Sequence, residues 1–528
     1  MKAFAWATER MRQQPQGIVA FVTNNGFLDG IAFDGMRRQL AEAFASLYFL
    51  DLRGNVRKHP KLSGTTHNVF GIQVGVSIAF LVKKPSLEPA KIYFARTGED
   101  WRKEQKYEFL EQQRCYANIQ WREIQPDSNH TWLTDGLSDD FTGFIPLGSK
   151  EQKASRQQSE GVMFKVFSNG VKTNRDAWTY HFNRDALVAN IGRTIETYNE
   201  QVFKWNCLTI KPNVDDFVLY DNKKISWSST LKIRLQGNNM ANYDENNIRI
   251  SLYRPFAKQW LYFDPFFADR RGQFPKIFPT IDIEQENKVI CVTDKGSEKP
   301  FMTLMSTAIV DLHLVGAGSS TQAFPFYIYS EDGRHRQENL TDWALAAFRE
   351  HYQDPTIDKW DIFYYVYGLL HNEDYRRQYA ANLRRELPRI PCAPDFWAYR
   401  QAGKQLADWH VNYERQPEYP LTKTYTPDRP HDWKVQKMRL NRDKTAIVYN
   451  DWLTLGGIPP EAFAYRLGNR SALDWVIEHY QVKTDPRSGI VNDPNRPDDP
   501  QYIVRLLGQV VQVSVATVKI VQGLPALK

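Results

Sequence analysis

An aromatic residue that follows a basic loop is the first feature of this sequence with a clear chemical use. Phe70 lies in the run HNVFGIQVGVSIAFLVKK, at the mouth of a strand-like segment. The loop before it carries four cations, at Arg53, Arg57, Lys58 and Lys61. An aromatic face can stack on an exposed base, and lysine or arginine can bind the flanking phosphates. The pattern allows a nucleic-acid contact, although a core aromatic beside a solvated loop would give the same sequence.

Positive charge also alternates with aromatic residues further along the chain. A surface that faces a DNA groove has this composition. The run YRPFAKQWLYF also alternates well enough to be a buried strand with paired arginines, so a structural interpretation stays open beside the DNA-binding one. The candidate positions are Arg175, Trp178, Arg254, Lys258, Trp260, Arg270 and Arg271.

Several common catalytic motifs are absent from the sequence. It contains no GxxxxGK[ST] phosphate loop, no HExxH helix and no GxSxG turn. The four cysteines, Cys115, Cys207, Cys291 and Cys392, are far apart and form no CxxC pair. Neither a zinc ribbon nor a disulfide framework fits this spacing, and we expect no metal site.

Composition places the chain among globular proteins. Of its 528 residues, 42% are hydrophobic and 24% are charged, which excludes disorder as the dominant state. The formal net charge of +7 is mild for this length, so it permits a nucleic-acid partner without requiring one. We find no apolar run of bilayer-spanning length and no signal-peptide core in Met1–Arg12. We therefore expect a cytoplasmic protein with no membrane partner.

The elements that would position Phe70 follow an α/β pattern. Helical spacing over Met1–Arg12 and Phe33–Phe44 alternates with the buried-strand patterns Gly17–Thr23 and Leu47–Leu52. After the basic loop, Val69–Val82 predicts a strand, and Lys91–Ala95 is expected to pair with it as a hairpin. The pattern of residues 1–100 therefore predicts the closing half of a doubly wound sheet. Such a half sheet has an open flank, so we expect further strands from upstream sequence or a partner chain.

From residue 101 the pattern changes to a mixed α+β region. We expect a domain at 101–415, a further part at 416–528, and a connector over Pro417–Trp433. The fold class is thus α/β followed by α+β. Short strands and helices are predicted at Ile248–Tyr253, Val289–Val292, Leu340–Tyr352, Asp361–Leu387, Ala462–His479 and Tyr502–Val521.

Three blocks of the first hundred residues resemble the end of a Rossmann-like methyltransferase domain that modifies DNA adenine at N6. They are Lys2-Ala3-Phe4, Gly17–Gly26 and Val69–Lys84. The resemblance implies that the Phe4 ring packs against the adenine of the cofactor S-adenosylmethionine. It also implies that Phe70 stacks on the flipped target base, where stacking restores about 1 to 3 kcal/mol.

A wider resemblance covers nearly the whole chain. Ordered blocks are similar to the C-terminal specificity region of Type ISP restriction-modification enzymes. The blocks are HTWLTDGL (130–137), TNRDAW (173–178), YRPFAKQWLYFD (253–264), YYVYGLLHNEDYRRQYAANLRRELPRIP (364–391), AGKQLADWHVNYE (402–414) and SGIVNDPN (488–495). This family joins a nuclease, a helicase-like motor, a methyltransferase and a target recognition domain. The resemblance implies double-stranded DNA as a partner and a role in phage defence.

The sequence departs from that family plan in its catalytic parts. It has no Gly-rich methyl-donor loop and no [ND]PP[YF] tetrapeptide. We therefore expect the isolated chain to be inactive, and to require an upstream methyltransferase, helicase and nuclease portion, in the same or a separate chain, for S-adenosylmethionine to be used. A non-enzymatic DNA-binding protein, or a truncated gene product derived from such an enzyme, remains the alternative.

Overall fold

The computed structural model describes residues 2–55, 66–86, 88–127, 129–149, 160–284 and 286–527. The chain divides into two compact units, Met1–Leu137 and Ser138–Lys528. The first unit extends beyond residue 100 because residues up to Trp132, which packs on Phe49, complete its core. The domain boundaries predicted at residues 100 and 415 separate regions of different function rather than compact units, so they stay predictions.

A five-stranded sheet forms the centre of the first unit. Its order is β1-β3-β2-β4-β5, and β3 runs antiparallel to both β1 and β2. The predicted hairpin between the segments that contain β3 and β4 is wrong, because β4 pairs in parallel with β2. The strands are β1 (Gly17–Asn24), β2 (Ser46–Arg53), β3 (Val76–Lys83), β4 (Lys91–Arg96) and β5 (Arg122–Ile124).

Helices pack against this sheet in two hydrophobic clusters. Phe4 packs against Phe21 and Phe27, with ring centroids 5.2 and 5.1 Å apart. Leu40 and Phe44 complete this layer, so the periodicity predicted for the first two helices is confirmed as a buried apolar stripe. The helices are α1 (Lys2–Arg12), α2 (Gly26–Asp29), α3 (Asp34–Ala43) and α4 (Lys103–Gln113).

The outer strand β1 leaves apolar side chains in solvent. Among the described strands it has one neighbour, β3. Its residues alternate between half-buried and exposed, and Ile18 and Val22 are 69% and 55% exposed. A central strand of a doubly wound sheet carries apolar residues on both faces. The exposed face of β1 therefore has the composition of a strand that is normally covered.

Three four-stranded sheets are described in the second unit. In order across the sheet, the strands of the first are Ile309–Val310, Ile248–Arg254, Ala257–Tyr262 and Tyr180–His181. Those of the second are Thr303–Ser306, Val289–Thr293, Thr321–Pro325 and Ser168–Asn169. Those of the third are Thr422–Tyr425, Leu453–Gly456, Ala446–Val448 and Arg439–Leu440. Shorter ladders pair Ile145–Pro146 with Arg389–Ile390, Tyr327–Ile328 with Gln337–Glu338, Arg466–Leu467 with Arg470–Ser471, and Lys483–Thr484 with Val491–Asn492.

The third sheet includes part of the segment predicted to be a connector. Thr422–Tyr425 pairs antiparallel with Leu453–Gly456, so Pro417–Trp433 is not wholly a linker. The strands predicted at Ile248–Tyr253 and Val289–Val292 are confirmed.

Helices surround these sheets. The single helix predicted over residues 361–387 is broken in three. Asn372 leaves the helical conformation and caps a new helix through the amide of Tyr375, and a second break falls at Tyr379. The second unit's helices are Asp176–Thr179, Arg184–Asn206, Val214–Phe217, Ser229–Gln236, Phe274–Ile277, Ile281–Glu284, Asp342–Tyr352, Lys359–Leu369, Glu373–Gln378, Ala380–Arg385, Phe396–Val411, Ala472–His479 and Tyr502–Gln522.

The helix Tyr502–Gln522 corrects one expectation from the sequence. It has 21 residues and a mean hydropathy of 1.5, so by length and composition it could cross a membrane. The prediction that no apolar run reaches that length is therefore wrong. In the structure, 61% of its most apolar stretch is buried, and it packs against Phe396–Val411 and Ala472–His479. This packing is that of a core helix.

Candidate nucleic-acid interface

Phe70 is presented to solvent by a turn that is built around one buried asparagine. The Asn68 side chain donates to the carbonyls of Gly54 and Val74, at 3.2 and 2.6 Å. Its amide oxygen accepts from the backbone nitrogens of Phe70 and Ile72, at 2.9 and 3.4 Å. These bonds satisfy the side chain completely and fix the turn. The Phe70 ring is consequently held outward, with 63% of the residue exposed.

Two side chains of helix α4 hold the same turn in place. The buried Lys106 ammonium donates to the carbonyl of His67 at 2.5 Å, and the Tyr107 hydroxyl donates to the carbonyl of Val69. Burial lowers the pKa of Lys106 to about 8. The residues on both sides of Asn68 are therefore anchored to a helix.

Arg53 lies at the same edge of the sheet as Phe70. It directly precedes Gly54, whose carbonyl accepts from Asn68, and its guanidinium forms an ion pair with Glu99 at 3.3 Å. The neighbouring Asp51 accepts from Asn25 at 2.8 Å, which ties the ends of β1 and β2 together. The predicted DNA contacts Arg57, Lys58 and Lys61 lie outside the described residues.

The surroundings of Phe4 do not fit the cofactor role that the resemblance implied. A ring that packs against the adenine of S-adenosylmethionine needs one face free of protein contacts. Phe4 is 3% exposed, and the rings of Phe21 and Phe27 pack against it. Its neighbours are core residues of the first unit, so the ring stabilises the packing of α1 on the sheet.

Arg175 and Trp178 are buried structural residues. The Arg175 guanidinium has no exposed surface and donates to the Ser228 hydroxyl at 2.6 Å and to Asp269 at 3.3 Å. Trp178 is buried beneath the guanidinium of Arg193. These placements do not favour the predicted base contacts, because either side chain would have to leave its internal partners to reach DNA.

Arg254 and Lys258 are also held by carboxylates. Arg254 donates to Asp311 at 2.7 Å, and burial raises the pKa of that carboxyl to about 6. Lys258 donates to Glu414 at 2.5 Å. Trp260 is half-buried against the cluster around helix Arg184–Asn206. The alternative of a buried strand with paired arginines describes this segment better than a base-reading surface does.

Arg270 and Arg271 differ in their exposure. Arg270 is exposed, and its backbone pairs with Lys172. Arg271 is half-buried over the ring of Phe263, and burial lowers its pKa. Arg270 therefore remains the candidate in this group whose side chain reaches solvent, and its predicted DNA contact stays a prediction.

Sequence reasoning missed the residues that fix the Phe70 turn. Asn68 and Gly71 are spaced as in a turn that an asparagine side chain closes, and Gly71 has a φ of +66°. That signal was present in the sequence. The contributions of Lys106 and Tyr107 come from more than 35 residues away and had no local signal. Within the described ranges, no group of three or more His, Cys, Asp or Glu is placed to hold a metal ion.

The chain belongs to the Type ISP restriction-modification family. The family described as the Type ISP C-terminal specificity domain matches residues 162–506, which is more than half of the chain. The resemblance inferred from the sequence blocks is thereby confirmed. The mixed α/β architecture with several sheets is similar to that of solved Type ISP enzymes.

Three solved structures of DNA complexes are similar over the whole chain. A nuclease-deletion mutant of the Type ISP enzyme LlaGI, with a DNA substrate mimic, is 31% identical with a TM-score of 0.88. The ATP-dependent Type ISP enzyme LlaBIII bound to DNA is 29% identical at 0.89, and the DrdV–DNA complex is 34% identical at 0.88. All of this chain is covered, but only 48%, 34% and 52% of those chains. Among curated proteins the comparison finds no match.

Proposed function

We propose that this chain selects the DNA site at which a Type ISP restriction-modification enzyme acts. The observation that carries the proposal is the similarity of the whole chain to three DNA-bound enzymes, together with the specificity-domain match. The family assignment itself implies target recognition within restriction-modification. The finer proposal is that the second unit reads double-stranded DNA and that the first unit receives one of its bases.

The first unit would be the distal half of an adenine-N6 DNA methyltransferase domain. Strands β1 and β2 run in the same direction, both antiparallel to β3, and α2 and α3 connect them. Ligands of doubly wound sheets bind outside the carboxyl ends of such strands. The exposed Phe70 follows β2 at this edge, which supports its role as the stacking surface for a flipped adenine.

Methyl transfer would require sequence that this chain does not contain. The [ND]PP[YF] tetrapeptide orients the target amine in such enzymes, and a Gly-rich loop approaches the methyl donor. Both motifs would belong to an upstream portion, which would also hold S-adenosylmethionine and pair with the open side of β1. The chain alone would bind DNA in the cytoplasm without methylating it.

Selection from a randomised duplex pool tests the proposal. The full chain is immobilised, duplexes are recovered over several rounds, and the recovered sequences are compared with the starting pool. We expect enrichment of one sequence family, because direct readout discriminates each base pair by about 1 to 3 kcal/mol. Recovery of a pool with unchanged composition would contradict a recognition function. Heat-unfolded chain on the same support is the control for retention by the matrix.

A further inference from the structure

A segment of the third sheet region carries a cluster of exposed positive charge. Between residues 434 and 444, Val435 and Met438 are buried and Leu440 is half-buried. The cations of the segment are all exposed. We name this set the basic ridge: Lys434, Lys437, Arg439, Arg442 and Lys444.

The backbone under the basic ridge is fixed by side chains from other parts of the second unit. Asn495 bonds both the nitrogen and the carbonyl of Val435, each at 2.8 Å. Asn450 donates to the carbonyl of Lys434 at 2.9 Å, and Gln481 donates to that of Met438 at 3.2 Å. The ridge therefore projects from a preorganised backbone, so ordering it on binding costs only side-chain entropy.

The five cations of the ridge lack carboxylate partners within the part of the chain that the structure describes. By contrast, Arg254 and Lys258 are neutralised by Asp311 and Glu414. Residues 415–444 contain eight Lys or Arg and four Asp or Glu, a net charge of +4 out of +7 for the whole chain. More than half of the net positive charge is thus concentrated in 30 residues.

A surface of this kind fits a polyanion with regularly repeated charges. Exposed cations lose little hydration when they contact a phosphate, and each contact releases a condensed counterion. The ridge combines five such cations with few polar groups that could read a base edge. Its chemistry therefore suits the sugar-phosphate backbone rather than the floor of a groove.

We propose that the basic ridge binds the phosphate backbone of duplex DNA and holds the second unit in register on it. This inference rests on the proposed function, since it assumes that the chain binds DNA. It assigns the electrostatic share of the affinity to residues that none of the sequence motifs indicated. The ridge contributes affinity without sequence preference, whereas the choice of site depends on other residues.

The salt dependence of binding measures this contribution directly. A ridge variant, Lys434→Gln with Lys437→Gln and Arg442→Gln, removes three exposed cations. A control variant, Lys223→Gln with Lys224→Gln and Lys404→Gln, removes three exposed lysines from elsewhere in the second unit. Dissociation constants for a duplex that carries the selected site are measured from low to high salt. Thermal unfolding checks that both variants are folded.

We expect the ridge variant to bind at least tenfold more weakly at low salt. The slope of log K against log salt should become shallower by about 2 to 3, since each lost phosphate contact removes about 0.9. The site recovered from a random pool should not change. The control variant should keep the wild-type slope.

The other outcomes separate the two proposals. If the wild-type chain binds no duplex, the proposed function fails and the ridge inference fails with it. If the wild type binds and selects a site, but the ridge variant keeps its affinity and slope, the inference is overturned while the function stands. Equal competition by duplex RNA would also overturn the assignment to DNA.

Discussion

At the scale of single residues, the proposed contact with a flipped base depends on Phe70. It is exposed because Asn68 and α4 fix the turn, and not because the turn lacks contacts. We expect Phe70→Ala to weaken binding to a selected duplex with an unpaired adenine at the target position. The loss of stacking corresponds to about 1 to 3 kcal/mol, roughly a 5- to 150-fold rise in the dissociation constant.

Fluorescence anisotropy with labelled duplex measures this loss. Phe70→Tyr keeps the aromatic face and is the matched control, so it should bind like the wild type. Equal affinities of Phe70→Ala and the wild type for this duplex would show that the ring does not receive a base.

Lys106 makes the stability of the first unit depend on pH. Burial lowers its pKa to about 8 in the folded chain, whereas an unfolded lysine titrates near 10.4. Between these values the unfolded chain binds more protons, so the free energy of unfolding contributed by this group rises with pH. This gain is fully present above the unfolded pKa and is lost as the pH falls through about 8.

Lys106→Met removes this titration and provides the test. The melting temperature of the wild type, relative to that of Lys106→Met, should rise between pH 8 and 10.5. The difference should be flat between pH 6 and 7, where lysine is protonated in both states. A constant difference over the whole range would mean that the ammonium is not desolvated.

Residue types alone did not reveal which cations are free. Arg175 and Arg254 stand beside aromatics in the sequence, as DNA-binding residues often do. Their partners Asp269 and Asp311 are 94 and 57 residues away in the chain. Only the folded topology brings these carboxylates to the arginines, so a local sequence pattern cannot predict the ion pairs.

At the scale of elements, two helices of the second unit approach each other at glycines. A Cβ atom at Gly403 would stand 1.8 Å from the carbonyl oxygen of Tyr364, and one at Gly368 would stand 2.2 Å from that of Tyr399. These distances are far inside van der Waals contact. Helices Lys359–Leu369 and Phe396–Val411 can therefore pack at this distance only without side chains at the crossing.

Gly403→Ala should lower the free energy of unfolding by about 3 kcal/mol, because backbone atoms would have to move apart. Gly192→Ala is the matched control. Gly192 also lies within a helix, but a Cβ there meets nothing within 4 Å, so alanine should stabilise by about 0.5 to 1 kcal/mol. Urea unfolding measures both changes. Changes of the same sign would refute the close approach as the cause.

Much of the first unit's secondary structure could be predicted, but its strand pairing could not. The apolar runs of β1 and β2 and the periodicity of α3 placed those elements within a few residues of their observed bounds. The position of β4 beside β2 depends on which neighbour offers a free edge, and a sequence pattern does not contain that information. Similarly, the apolar run at 361–387 concealed the cap at Asn372, because its tyrosines continue on both sides.

At the scale of the whole molecule, the open side of β1 predicts self-association. Ile18 and Val22 are apolar and largely exposed on a strand that has one edge unpaired among the described strands. We expect Ile18→Lys with Val22→Lys to reduce association of the full chain with rising concentration, as measured by sedimentation. Ile210→Lys is the control, since Ile210 is 86% exposed in the second unit. An equal effect of both variants would contradict a role for β1.

The long apolar helix Tyr502–Gln522 also has a consequence for how the protein is made. Residues of this helix contribute to one hydrophobic core of the second unit, and Leu524 and Leu527 just beyond it contribute to another. Because domains fold during translation from the amino-terminal side, the first unit can close while the second is still growing. The second unit must wait until residues 502–527 have left the ribosome. A nascent chain therefore exposes Phe70 to solvent before the core of its second unit is complete.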